Sequence, residues 1–149
     1  MKYEKIWAKT LAAGEKVEFE FSIGDRFRKS ELAIWAFIGL ITLVVGGLGI
    51  VVFLIALFKY GFYVKVANAY ALTNKRMLIH RGWLSTHTTS VDYSKITDVH
   101  VIEPFLERLI SHSGNLIVNT AGTTLHEVIL KHVEMPYEIK KKLDELKDK

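Results

Sequence analysis

Cysteine is absent from the 149 residues, which excludes disulfides, thiolate zinc centres and cysteine nucleophiles together and fits a reducing compartment. Charge is absent from residues 32–58. An uncharged run of about 27 residues exceeds the ~20 that cross a bilayer core, and a soluble helix of that length would keep a polar face. Thr42 is the only hydroxyl in the run, so no ionisable group lines a transport path. A secretory signal is not expected: charged sequence comes first, the run is too long for an h-region, and no small-residue cleavage pattern follows it.

A nucleic-acid footprint is also missing. The net charge is +4, with Lys and Arg interspersed among Asp and Glu, and no nucleic-acid partner is expected. There is no G-x-S-x-G, no H-E-x-x-H and no recognisable acid pair. Gly46, Gly47 and Gly49 lie within the apolar run rather than between a strand and a helix, so they are no phosphate loop. The six histidines lack the close spacing of a metal site. No catalytic, cofactor or metal site is expected, and the chain is not expected to be an enzyme.

What is present divides into three parts. Residues 1–28 form an arm whose head, "MKYEKIWAKTLAAGEK", reads as a short surface helix or a loose segment. In the strand at about 15–23, Val17, Phe19, Phe21 and Ile23 alternate with Glu18, Glu20 and Ser22, one face dry and one wet, and Gly24-Asp25 closes it. Such a strand needs a partner.

Residues 29–67 form the apolar part. Arg26, Arg28 and Lys29 precede it, and Lys59 and Lys65 follow. Positive flanks prefer the cytoplasmic side, and only a hairpin places both there. The expected arms are 29–45 and 50–67, each roughly 25 Å long, with Gly46, Gly47 and Gly49 at the bend. The competing geometry is one tilted span with the glycines packing on another helix. Arg28, Lys29, Trp35, Lys59, Tyr60, Tyr63 and Lys65 sit where interface anchors belong. With both flanks on one side, the 15–23 strand can pair with whatever follows the hairpin.

Residues 68–149 read as short strands with turn signals about every ten residues, the spacing of a sandwich or barrel. Strands are expected at 69–73, 77–80, 84–91, 96–103, 116–121 and 125–131, with a short helix after Pro104. A final helix opens at Pro136 and carries an Ile139, Leu143, Leu146 stripe.

"YALTNKRMLIHRGWLSTHTTSVDYSKITDVHV" and "GNLIVNTAGTTLHEVILKHVEMPYEI" carry Tyr70, Leu72, Thr73, Arg76, Gly82, Ile96, Val99, Gly114, Thr120, Ala121 and Gly122 in order. This series resembles the membrane-anchored bacterial pleckstrin-homology-like (PH-like) domain family. The resemblance implies a mainly β fold with helices: a PH-like two-sheet β-sandwich or barrel, capped by a C-terminal helix and preceded by a transmembrane helical hairpin. It implies a binding or assembly role rather than catalysis. Eukaryotic relatives often bind phosphoinositides through a basic motif in the first β-hairpin. Here "NKRMLIHRG" supplies Lys75, Arg76 and Arg81 without that motif's closing basic–any–Arg spacing.

Lys75, Arg76, Arg81 and Trp83 are therefore the headgroup candidates, and the three cations read more readily as ordinary juxtamembrane charge with no specific ligand. Trp83 reads as an interface residue, or equally as a core residue or a packing plug. The strand "LSTHTTSV" is polar enough to be a solvated edge, or an edge that accepts a partner strand. The expected function is a membrane-anchored, non-catalytic binding module at the cytoplasmic face of the cell membrane. Its expected partners are membrane lipids, another membrane protein or further copies of itself. The alternative is an accessory subunit of a larger membrane complex, with the hairpin as its packing element.

Overall fold

The structure is a computed structural model that describes residues 3–43, 48–121 and 127–148. Strands β2 (Asn68–Thr73) and β3 (Arg76–Arg81) form an antiparallel pair around the Asn74-Lys75 turn, with Tyr70 opposite Ile79. Strand β4 (His87–Asp92) pairs with β3, and β1 (Val17–Phe21) pairs with β2 from the other side, placing Phe21 opposite Tyr70. The first sheet therefore runs β1-β2-β3-β4. Both of its faces are covered, which explains why β2 and the middle of β3 are buried almost without interruption. Tyr70, Leu72, Met77 and Ile79 face the main core. Ala69, Ala71 and Leu78 face the N-terminal head, where the two alanines leave room for the fully buried Trp7.

The clean alternation expected in β1 does not hold. Its register slips between Val17 and Phe19, a bulge that leaves Glu18 without an opposite residue. Val17 consequently joins the head-side cluster, while Phe21 packs on the main core with its ring 5.4 Å from that of Tyr70. Phe19 shares Phe21's face but stays 37% exposed.

The second sheet holds β5 (Ile96–Ile102), β6 (Ser113–Thr120) and β7 (Val128–Glu134) in that order. Val99, Leu116, Val118, Leu130 and Val133 supply its inner face. The stripe of the C-terminal helix α6 (Pro136–Lys147) enters the same core: Ile139, Leu143 and Leu146 are all buried. Pro136 opens that helix after Met135, which holds a left-handed turn at φ 50°. The sheets do not close into a barrel. Among the described residues a single antiparallel bridge, Ile23 to Val133, ties the end of the first sheet to β7.

Helix α1 (Glu4–Trp7) shows that the head is packed rather than loose. A polar latch holds it down. Glu15 is buried, and its carboxylate accepts from the Ala12 N–H at 2.8 Å, the Thr73 hydroxyl at 2.8 Å, and Arg76 Nε and Nη2 at 3.0 Å each. Arg76 Nη2 also donates to the Thr10 carbonyl at 3.2 Å. Burial works against the charged carboxylate, but Arg76 and the other donors outweigh it and bring the Glu15 pKa down from 4.5 to about 2.

Between β1 and β2 the chain makes a helical hairpin. Helix α2 (Asp25–Leu43) packs antiparallel to α3 (Leu48–Ala56), which continues through a π-helical stretch, Leu57–Tyr63, into α4 (Val64–Ala67). The antiparallel sense follows from the contacts: Gly39 meets Gly49, and Trp35 lines a notch with Ala56 and Lys59. A Cβ at Gly49 would fall on the Gly39 carbonyl oxygen and crowd the Leu43 backbone. Gly49 thus lies within α3 at a close approach to α2, not in a bend. Gly46 and Gly47 lie outside the described residues.

The expectation of two equivalent membrane-crossing arms is corrected. The arms are unequal: among the described residues only Leu48–Ala67 is long and apolar enough to cross a membrane. The first turns of α2 carry Asp25, Arg26, Arg28, Lys29 and Glu31 and pack on the second sheet, so its uncharged part, 32–43, extends only about 18 Å. The pairing that the sequence allowed for the 15–23 strand is present. Because β1 precedes the hairpin and belongs to the first sheet, the sandwich is assembled from both sides of it.

Glu15→Gln removes the charge opposite Arg76 and is expected to destabilise the protein by about 2 kcal/mol at neutral pH, read from denaturant unfolding. A depressed pKa stabilises above the unfolded value, so the gap between wild type and variant should close as pH falls from 4.5 toward about 2. In the hairpin, Gly49→Ala should lower the thermal midpoint. Gly61→Ala, whose Cβ would find only Leu57 Cδ1 at 3.7 Å, should leave it unchanged or raise it.

Candidate membrane-apposed face

One end of the sandwich carries the hairpin, and the strand registers define what else lies there. Chain leaves β1 at Phe21 and returns through Ala67 into Asn68, with the Ser22 hydroxyl donating to the Asn68 carbonyl. Asn68 lies opposite Arg81, so the turn between β3 and β4 is at this end too. The Gly82 N–H donates to the Ala67 carbonyl at 2.7 Å. Gly82 holds φ 100°, and a Cβ there would collide with the Ser85 carbonyl. That tight turn lays Trp83 against the helical arm, its ring 6.0 Å from Phe58 and 5.2 Å from Phe62, both edge-on. Leu84 beside it is 89% exposed.

The second sheet contributes the opposite flank. The Gly24 N–H donates to the His132 carbonyl at 2.7 Å, so α2 starts on β7. The His132 ring stacks on Phe27 at 3.9 Å and 8°, and its Nδ1 is 2.9 Å from Glu107 Oε2. Glu107 belongs to α5 (Phe105–Ile110), the short helix between β5 and β6. Arg26 reaches Glu134 at 3.7 Å and His112 Nδ1 at 3.3 Å. A polar joint thus fixes the base of α2 to α5 and β7.

The family model described as Bacterial PH domain matches residues 21–149. The chain belongs to the bacterial PH domain family. The match begins on the last residue of β1 and takes in the hairpin, β2 to β4 and the whole second sheet. Two solved structures share the fold. One is a protein with a pleckstrin-homology domain from Shewanella loihica PV-4, at 12% identity and a TM-score of 0.54, covering 98% of this chain and 94% of that one. The other is a pleckstrin homology domain from Shewanella amazonensis SB2B, at 12% identity and a TM-score of 0.53, covering 95% and 82%. No curated protein matches the chain.

Within this PH sandwich the expected basic cluster is split. Lys75 and Arg76 lie at the far end of β3, away from the hairpin, and Arg81 at the near end, about 17 Å along the strand. Arg76 is committed to Glu15, and Lys75 Nζ contacts the Ala13 carbonyl at 3.3 Å. Arg81 donates to the Ile129 carbonyl and lines a cleft between the sheets with Tyr70 and Lys131. Burial raises the Tyr70 pKa, and Arg81 offsets part of that rise.

Of the expected anchors, Trp35, Lys59 and Tyr60 come together in one notch, with Lys59 Nζ 4.9 Å from the centre of the Tyr60 ring. Lys29, Tyr63 and Lys65 are exposed. Arg28 is not a free anchor: its side chain is 11% exposed and bonded to Asp25 at 2.8 Å. Strand β4 is an edge strand, as "LSTHTTSV" suggested, though it starts at His87. His80 is hydrogen-bonded to Thr88 at 3.0 Å, and burial lowers its pKa. Among the described residues no group of three or more His, Asp or Glu converges on a metal position.

The sequence reading missed Leu84 and the α5 side chains Phe105, Leu106, Leu109 and Ile110, which are all exposed. Their spacing was visible, but which face of α5 meets the sandwich was not. Gly82→Ala is expected to cost about 2 kcal/mol or more in unfolding, because both φ and the Ser85 carbonyl oppose a side chain. A red shift in tryptophan emission should accompany it as Trp83 leaves Phe58 and Phe62.

Proposed function

We propose that this chain is a membrane-anchored, non-catalytic PH-like binding module whose helical hairpin is embedded in the bilayer and whose sandwich sits on the cytoplasmic face. The observation that carries the reading is the β1–β2 pairing. Two strands hydrogen-bonded side by side hold both ends of the hairpin at one end of the sandwich, so a hairpin in lipid must enter and return through the same surface. Exposed Ile34, Phe37, Leu40, Ile50, Leu54 and Ile55 on the hairpin agree with a lipid environment, since so much clustered apolar surface is rare in water. Lys29, Lys59 and Lys65 near the sandwich favour the cytoplasmic leaflet. Anchoring raises the module's effective concentration at the surface, so weak contacts with lipids or proteins suffice.

One observation favours the second reading, an accessory subunit of a membrane complex. Gly39, Leu40, Leu43, Gly49, Ile50 and Phe53 border an apolar groove along the hairpin that would accept a further helix. A stoichiometric partner retained through purification in mild detergent would select it.

The absence of cysteine permits a direct topology test. Single cysteines replacing Ala13 and Ser94, both exposed, should resist a membrane-impermeant maleimide in intact cells and react after lysis. Labelling of one alone would require a single crossing and overturn the hairpin reading. Labelling of both in intact cells would move the sandwich to the other side.

A further inference from the structure

Helix α5 is turned the wrong way round for a helix in water. Phe105, Leu106, Leu109 and Ile110 lie at i, i+1, i+4 and i+5 on one face and are 70, 65, 65 and 56% exposed. The opposite face carries Glu107 and, just past the helix, Ser111, and that polar face meets the protein. Glu107 bonds His132 at 2.9 Å, and the buried Ser111 hydroxyl lies 2.6 Å from that of Ser113. These bonds oppose any roll that would bring the apolar face inward, because it would strand buried polar groups.

The patch has company. Outside the hairpin, most exposed large apolar side chains among the described residues lie at the hairpin end of the sandwich, Phe19 and Tyr137 being set apart from this group. Trp83 and Leu84 flank one helical arm, and α5 flanks the other. Ile102 opposite Asn115, and Met135 bonded to the His112 carbonyl, belong to the same end.

We propose that the apolar face of α5 is a second membrane contact, lying in the interfacial layer of the leaflet that receives the hairpin, with the Trp83-Leu84 turn as a third. The inference rests on the membrane reading of the hairpin. The sandwich is then seated end-on at three points instead of swinging on its anchor. The occupant is the bilayer rather than a second copy because the patches flank different arms of the hairpin. A surface that surrounds the hairpin covers both, whereas one neighbouring molecule covers one. Lys29, Lys65 and Arg108, on the two helical arms and on α5, are exposed, as suits an anionic interface.

The test uses the full chain in vesicles of phosphatidylcholine and phosphatidylglycerol. Single cysteines replacing Leu109, Leu84, Phe53 or Lys95 carry an environment-sensitive fluorophore, and spin-labelled lipids act as quenchers. Leu109 and Leu84 probes should lose most of their emission to a shallow quencher, Phe53 to a deep one, and Lys95, at the far end of the sandwich, to neither. If Phe53 is quenched while Leu109 stays as bright as Lys95, α5 does not contact lipid and the inference falls, with the anchor intact. If Phe53 is also unquenched, the membrane reading itself fails. Crosslinking of Leu109→Cys to itself between chains, without quenching, would assign the face to a second copy and likewise overturn the proposal.

Discussion

Everything in this molecule depends on the ladder between β1 and β2. These strands are separated in sequence by the whole hairpin, yet Phe21 lies opposite Tyr70 and Glu20 opposite Ala71. Backbone hydrogen bonds at that range fix where the helical arms can start and finish. The Ile23–Val133 bridge and the Gly24–His132 hydrogen bond then set the direction in which α2 departs. The hairpin is therefore an insertion within the sandwich, not an appendage before it.

The head is the counterpart of that constraint. An edge strand added from outside the compact part needs something to hold it, and the latch supplies it. Glu15 and Arg76 tie the segment before β1 to the turn after β2, while Trp7 fills the space above Ala69 and Ala71. Arg76, which looked like a headgroup ligand, is consumed by this structural role. Arg81, on the same strand, remains at the hairpin end.

Much of the fold was legible in the chain. Strand positions, the Pro136 helix with its Ile139–Leu143–Leu146 stripe, and the polar edge at β4 follow from local periodicity and turn chemistry. The β1 bulge was not legible, because an alternating pattern carries no record of which partner residue is skipped. Nor was the π-helical stretch at 57–63. The site was read less well. Its basic residues were grouped by sequence proximity, whereas an extended strand separates its two ends by most of the sandwich.

The sequence by itself determined that an uncharged segment flanked by cations is followed by a run of short strands, since composition and periodicity need no partner to be read, and an ordered series of residues carried the resemblance to PH-like domains. It also determined that a single crossing would leave the first strand away from the sandwich. Only the tertiary structure decided that the strand is in fact paired, that the helical arms are unequal, and that α5 turns its apolar face outward. Those outcomes rest on long-range hydrogen bonds and on which polar groups find buried partners. Neither is encoded in any local stretch of residues.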